Sequence, residues 1–233
     1  MNETKTAIGQ MIDGEYHLRG KAISALMSEM DFLSAIWFTL SGSAPTDAER
    51  KILNACFVAS IDHGVQPPSA HVTRTVASCG KPLADAVAAG LLTLGPRHGN
   101  AAGAASVWIR EAVKSGLSSE DVVKRVMDEK RRLPGLGHPE YDVDPRAMKL
   151  IEIAKANLTT MPHCDFALDV SRVFSSKKGK PLPLNIDGAL GAIVADLGAP
   201  AELADAIFII SRTVGLIVHA REEAENSVSY RRG

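Results

Sequence analysis

Apolar residues recur three or four apart along almost the whole chain, and strict alternation of apolar with polar residues is nearly absent. That period fits the 3.6 residues of a helical turn and not the two-residue repeat of a half-buried strand, so the chain is constrained to an all-α architecture. Helices are expected over about 22–41, 46–63, 69–78, 83–94, 100–115, 119–132, 145–158, 163–175, 187–197 and 200–225. Ser118 with Asp121 reads as a capping box, and Asp144-Pro145 as a cap followed by a first-turn proline. The exception lies at residues 8–18, where Asp13-Gly14 suits a tight turn and a short β-hairpin is expected.

With 233 residues, 45% hydrophobic and 23% charged, the chain can bury a full core as one large domain or one domain with a smaller insert. A net charge of −1 gives no footprint for nucleic acid or an anionic membrane, although Lys177, Lys178 and Lys180 form a local cluster able to meet a phosphate. Cys56, Cys79 and Cys164 are odd in number, lack metal-ligand spacing and sit among apolar neighbours, so reduced core thiols in a cytoplasmic protein are expected. His63 and His71 lie eight apart without a third ligand, so no metal site is expected. No signal peptide is evident, and the most apolar stretch, 206–218, is interrupted by Ser211 and Arg212 and is short for a bilayer span. No P-loop pattern is present, so ATP use by this chain is not expected.

Chemistry-bearing residues gather in three turns of the second half: Gly95-Pro96-Arg97-His98-Gly99-Asn100, Pro134-Gly135-Leu136-Gly137-His138 followed by Asp144-Pro145-Arg146, and Asn185-Ile186-Asp187-Gly188. A histidine next to glycine sits where backbone can approach a ligand closely, and an aspartate at the start of a helical run is easily aimed. Taken with Leu18-Arg19-Gly20, Ser43-Ala44-Pro45-Thr46, Ile61-Asp62-His63-Gly64 and Ser69-Ala70-His71 in the same order, these segments resemble the citrate synthase superfamily over nearly the whole chain. Residues 175–188 and 211–219 are more similar to citryl-CoA lyase and the C-terminal module of ATP citrate lyase than to typical citrate synthase.

The resemblance implies a large helical domain, residues 1–99 and 183–233, with a smaller CoA-binding helical domain, 100–182, inserted in it. It implies reversible cleavage of citryl-CoA to acetyl-CoA and oxaloacetate by a homodimer, with coenzyme A entering as part of the substrate and no permanently bound cofactor. Asp187 would then be the base and His98 the donor that enolise acetyl-CoA, because an enolate needs a base beside the methyl carbon and a donor on the thioester oxygen. His138 would face the oxaloacetate carbonyl in synthesis and take the citryl hydroxyl proton in cleavage. Arg146, Arg212 and His63 match the family's carboxylate-binding residues, and Arg231 or Arg232 of the tail is the candidate for an arginine crossing to a partner subunit. Guanidinium groups suit this task because they bind carboxylates in bidentate fashion.

Gly135, Leu136 and Gly137 would receive the adenine of CoA, and Lys180 its phosphates, while Glu140 and Asp142 depart from the basic residues common there. Arg212, inside an apolar run, requires an anionic partner: substrate, Asp187 or Asp196. His17, His71, His163 and His219 read as structural. The helices 84–94, 101–113 and 207–218 are expected at the dimer interface. Two other readings stay open: a citrate or 2-methylcitrate synthase, in which the site also hydrolyses the thioester, and a non-catalytic paralogue or subunit that binds CoA or a dicarboxylate.

Overall fold

A computed structural model describes residues 6–95, 98–99 and 101–226. Its elements run β1 (Gly9–Ile12), β2 (Glu15–Leu18), β3 (Lys21–Ala22), α1 (Ile23–Glu29), α2 (Phe32–Ser41), α3 (Asp47–Ser60), α4 (Pro68–Ser78), α5 (Leu83–Leu91), α6 (Ala102–Lys114), α7 (Ser119–Asp128), α8 (Pro145–Asn157), α9 (Pro162–Lys178), α10 (Ile186–Asp196) and α11 (Glu202–Glu225). The fold is all-α with one small antiparallel sheet, as the periodicity requires. The chain divides into two compact units, 1–54 and 55–233, the division falling within α3.

In the first unit the hairpin forms at Asp13-Gly14. Ile12 pairs with Glu15, and both turn residues have positive φ (50° and 83°), the backbone of a type I′ turn. A third strand, absent from the sequence reading, follows from a second turn of the same kind at Arg19-Gly20 (φ 48° and 79°). Arg19 donates from Nε to the Thr39 carbonyl at 2.7 Å and so caps the C-terminal end of α2. The single helix expected over 22–41 is two helices. Met30 is extended, and the Asp31 side chain accepts the Ser34 N–H at 2.7 Å, starting α2 afresh.

The second unit is organised around α10, whose residues Gly188 to Ala195 are all buried. A helix hidden on every side needs small residues where neighbours cross it. At Gly191 a β-carbon would stand 2.5 Å from the Ala102 carbonyl and 2.7 Å from the Ser106 nitrogen, so the absence of a side chain there lets α6 cross α10 this closely. A satellite core of Val122, Val123, Val126, Val170, Val173 and Phe174 joins α7 and α9 to α6 through Ala112. Glycines of α5 and α6 also allow close packing within the chain: Gly90 lies against Thr73 and Ser69, and Gly103 against Asp205 and Ala201.

The expected caps are present. Ser118 and Asp121 form the capping box of α7, and the Asp144 side chain accepts the Arg146 N–H at the start of α8. The last helix, α11, is long and apolar enough to cross a bilayer by length and composition alone, more than its 206–218 stretch suggested. Half of its apolar window is nevertheless buried within the protein, and Arg212 at its middle is only 4% exposed.

Candidate active site

The site is built on the first turn of α10. Asn185 caps that helix by accepting the Gly188 N–H at 3.1 Å, and its Nδ2 donates to the Gly137 carbonyl at 2.8 Å. Further bonds from Asn185 N to Gly135 O (3.0 Å) and from Gly137 N to Pro183 O (2.7 Å) lash the glycine turn alongside residues 183–185. The two segments approach so closely that a β-carbon on Gly188 would lie 2.3 Å from the Gly135 carbonyl. This contact brings His138, at the end of the turn, beside Asp187, at the start of the helix.

Asp187 keeps some exposure, but its Oδ1 is buried with no hydrogen-bond partner among the described residues. Burial, reinforced by the charge of Asp205 and opposed by Arg212 and Arg146, pushes its pKa up to about 6. A carboxyl in this state takes up or releases a proton near neutral pH. His98 exchanges reciprocal backbone hydrogen bonds with Gly95. The Ser69 hydroxyl lies 2.9 Å from its Nε2, and the Ser69 N–H donates to the same atom at 3.4 Å. Nε2 is thus an acceptor and Nδ1 carries the proton of the neutral ring. Burial, with the positive charge of Arg212, holds the His98 pKa below its usual value, so the ring is neutral and offers Nδ1–H as a donor.

Around His138 the donors converge. Its Nδ1 accepts the N–H groups of Glu140 (3.1 Å) and Tyr141 (3.2 Å), and the Tyr141 ring covers it at 4.6 Å. The neutral ring therefore carries its proton on Nε2, which faces the Arg146 guanidinium at 3.4 Å. Two donors that meet head-on require an acceptor between or beside them, and a carboxylate or carbonyl oxygen meets that need. Arg146 is fixed by Asp144, which is 0% exposed and takes Nε at 3.1 Å and Nη2 at 2.9 Å. Burial works against the Asp144 charge, but the bonds and charge of Arg146 outweigh it and leave the carboxyl below its ordinary value. The other guanidinium arm donates to His63 Nδ1 at 3.2 Å, and burial with the nearby arginines keeps that ring neutral.

Arg212 completes the pocket. Its guanidinium stacks 4.8 Å over Phe208 and its Nε donates to Ser60 O at 3.3 Å. Burial depresses its pKa, while Asp62 and Asp187 oppose that. Asp196 is not its partner: that carboxylate takes the N–H groups of His163 and Cys164 and the His163 ring at 2.7 Å, anchoring the start of α9. His163 and His219 are structural as read, the latter bonded to Asp62 at 2.9 Å.

Two clefts meet at this point and share His98, Gly99, Gly137, His138, Pro139, Asn185 and Asp187 as a common wall. The smaller, about 490 Å³, adds His63, Arg146 and Arg212 and suits a compact polyanion. The larger, about 1090 Å³, adds Gly135, Leu136, Lys180, Arg131, Arg132 and Lys178, giving an open channel with four cations. The structure thus gathers His98, His138, Asp187, His63, Arg146, Arg212, Gly135, Leu136, Gly137 and Lys180 at one place. Arg231 and Arg232 lie outside the described residues. Arg131 and Arg132 escaped the sequence reading, which placed Asn185 in a candidate turn without giving it a role. The run Lys130-Arg131-Arg132 just before the glycine turn was the signal for the two arginines.

This chain belongs to the citrate synthase family, whose C-terminal domain matches residues 7–232. Within that family it is similar to the citryl-CoA lyase of Hydrogenobacter thermophilus, at 40% identity over 100% of this chain and 91% of that one, with a TM-score of 0.93. It also resembles the ATP citrate lyase of Methanosaeta concilii in complex with (3S)-citryl-CoA, at 25% identity and a TM-score of 0.92, covering all of this chain and 41% of the other. A probable ATP-citrate synthase of Dictyostelium discoideum is 29% identical over 91% of this chain, which spans 37% of that relative's length.

Proposed function

We propose that this chain is a citryl-CoA lyase, cleaving citryl-CoA reversibly to acetyl-CoA and oxaloacetate. The observation that carries the reading is Asp187: a carboxyl with a buried, unpartnered oxygen and a pKa near 6, on the wall shared by a basic channel and a polyanion pocket. In this reading the CoA arm lies in the larger cleft, its phosphates near Lys178, Lys180, Arg131 and Arg132 and its adenine against Gly135 to Gly137. The oxaloacetate half lies in the smaller one, its carboxylates met by Arg146, Arg212 and His63.

When the carbon–carbon bond breaks, electrons pass to the thioester, and His98 Nδ1–H stabilises the oxygen that becomes negative. Protonated Asp187 then delivers its proton to the enolate carbon, giving the methyl of acetyl-CoA. In synthesis the same carboxylate removes it. A pKa near 6 lets one group serve both directions. At the other carbon, Arg146 holds the hydroxyl oxygen as it turns into a carbonyl, and its proton passes to His138 Nε2. For that the ring first shifts its own proton from Nε2 to Nδ1, giving up the N–H bonds of Glu140 and Tyr141, and the proton it gains replaces the one that Asp187 delivers to the enolate carbon.

The reading extends to a dimer that places Arg231 or Arg232 in the neighbouring site, to a small CoA-binding domain over 100–182, and to the cytoplasm, where the buried thiols Cys56 and Cys164 would stay reduced. Citryl-CoA supplied without ATP should yield oxaloacetate, followed through coupled malate dehydrogenase. Rapid thiol release with little oxaloacetate would favour a synthase, and inactivity with tight CoA binding a non-catalytic paralogue.

A further inference from the structure

One face of α11 runs along the segment that leads to His63. Ser211 Oγ donates to Phe57 O, Arg212 Nε to Ser60 O at 3.3 Å, and His219 Nε2 to Asp62 Oδ1 at 2.9 Å. Between them Gly215 lies so close that a β-carbon there would stand 2.3 Å from the Ile61 carbonyl. These residues recur at three- and four-residue spacing, so they share one stripe of the helix. The stripe ends at Asp62, whose second oxygen accepts the Gly64 N–H at 2.8 Å and closes the turn that points His63 toward Arg146. The same carboxylate supplies opposing charge to Arg212. The side chain of His219 is 13% exposed, and Glu222 stands 3.9 Å from its other nitrogen.

We infer that Asp62 and His219 form a positioning pair, which fixes the spacing between Arg212 on the helix and His63 on the turn and so sets affinity for the dicarboxylate half of the substrate. Neither residue lines either cleft. The inference rests on the proposed use of the smaller pocket but not on the lyase chemistry itself. His63 and Arg212 would hold carboxylates equally in the ground and transition states, so loosening them raises KM and leaves kcat nearly alone.

The test measures oxaloacetate binding by calorimetry and citryl-CoA cleavage by steady-state kinetics for His219→Leu, His219→Gln and Gly215→Ala, with thermal melting of each. Losing a hydrogen bond to a charged group should raise Kd and KM about tenfold or more in His219→Leu, with kcat within about threefold. Glutamine, which can still donate to Asp62, should restore most of the affinity. Gly215→Ala, which pushes the turn away from the helix, should repeat the leucine result and serves if His219→Leu fails to fold. Wild-type Kd in folded His219→Leu and Gly215→Ala, a fall in kcat at constant KM, or glutamine no better than leucine would overturn the pairing. A wild-type protein that binds oxaloacetate but cleaves no citryl-CoA would sink the lyase reading alone, with the calorimetric comparison still deciding this one.

Discussion

Replacing Asp187 by asparagine should disable the enzyme and stabilise the protein, and the stabilisation should depend on pH. A carboxyl whose pKa rises from 3.8 to about 6 on folding binds its proton more tightly in the folded state. Its favourable contribution is complete below pH 3.8, declines as pH rises toward 6, and above that becomes a constant penalty for a buried charge. Two pKa units correspond to about 3 kcal/mol. Asparagine never ionises, but its amide finds no partner at the position of Oδ1, which costs roughly 1–2 kcal/mol. The net gain near neutral pH is therefore about 1–2 kcal/mol, and at pH near 4 the sign should reverse, since there the wild-type carboxyl is already protonated in the fold. Urea unfolding of both proteins at the two pH values measures the difference, and coupled cleavage assays should show turnover lowered by at least about a hundredfold. A variant less stable than wild type at neutral pH, or a difference that does not change with pH, would refute the assignment of an unpartnered raised carboxyl. Wild-type turnover would refute its role in the chemistry.

Other expectations follow from the same geometry. Arg146→Lys and Arg212→Lys keep the charge but lose the planar fork, so calorimetry should show weaker oxaloacetate binding, with the larger loss at Arg146, where the fork also meets Asp144 and two histidines. Arg131→Ala with Arg132→Ala should weaken CoA binding and flatten its dependence on salt, and unchanged binding would place the phosphates elsewhere in the channel. Cleavage measured as kcat/KM should fall about tenfold per pH unit above pH 6 as Asp187 ionises, a limb that Asp187→Asn should lack. Light scattering should find a dimer or a multiple of one, and glutamate at the exposed α11 residues Val214 and Val218 should dissociate it if that face is the contact.

Helix order, the Asp13-Gly14 turn and the capping box at Ser118 were legible in the sequence because each depends on neighbours within about one helical turn, whereas the candidate site residues were suggested by the resemblance of their segments to a family. Periodicity reports which face of a helix is apolar, and cap residues bond to backbone three positions away. The same local logic located the break at Asp31 only in hindsight, since an aspartate within an apolar run signals a cap only if the preceding residue is extended. What lay beyond the sequence were relations between distant segments: that Gly188 must face Gly135, that α6 crosses α10 at Gly191, that the Asp196 carboxylate at the end of α10 holds the start of α9 and leaves Arg212 to Asp62 and Asp187, and that Arg131 and Arg132 line the same channel as Lys180. The raised pKa of Asp187 is the clearest case. The sequence shows an aspartate at the start of a helix, where the dipole would favour its charge, whereas only the packing that buries it and denies its oxygen a donor turns that residue into an acid of near-neutral strength.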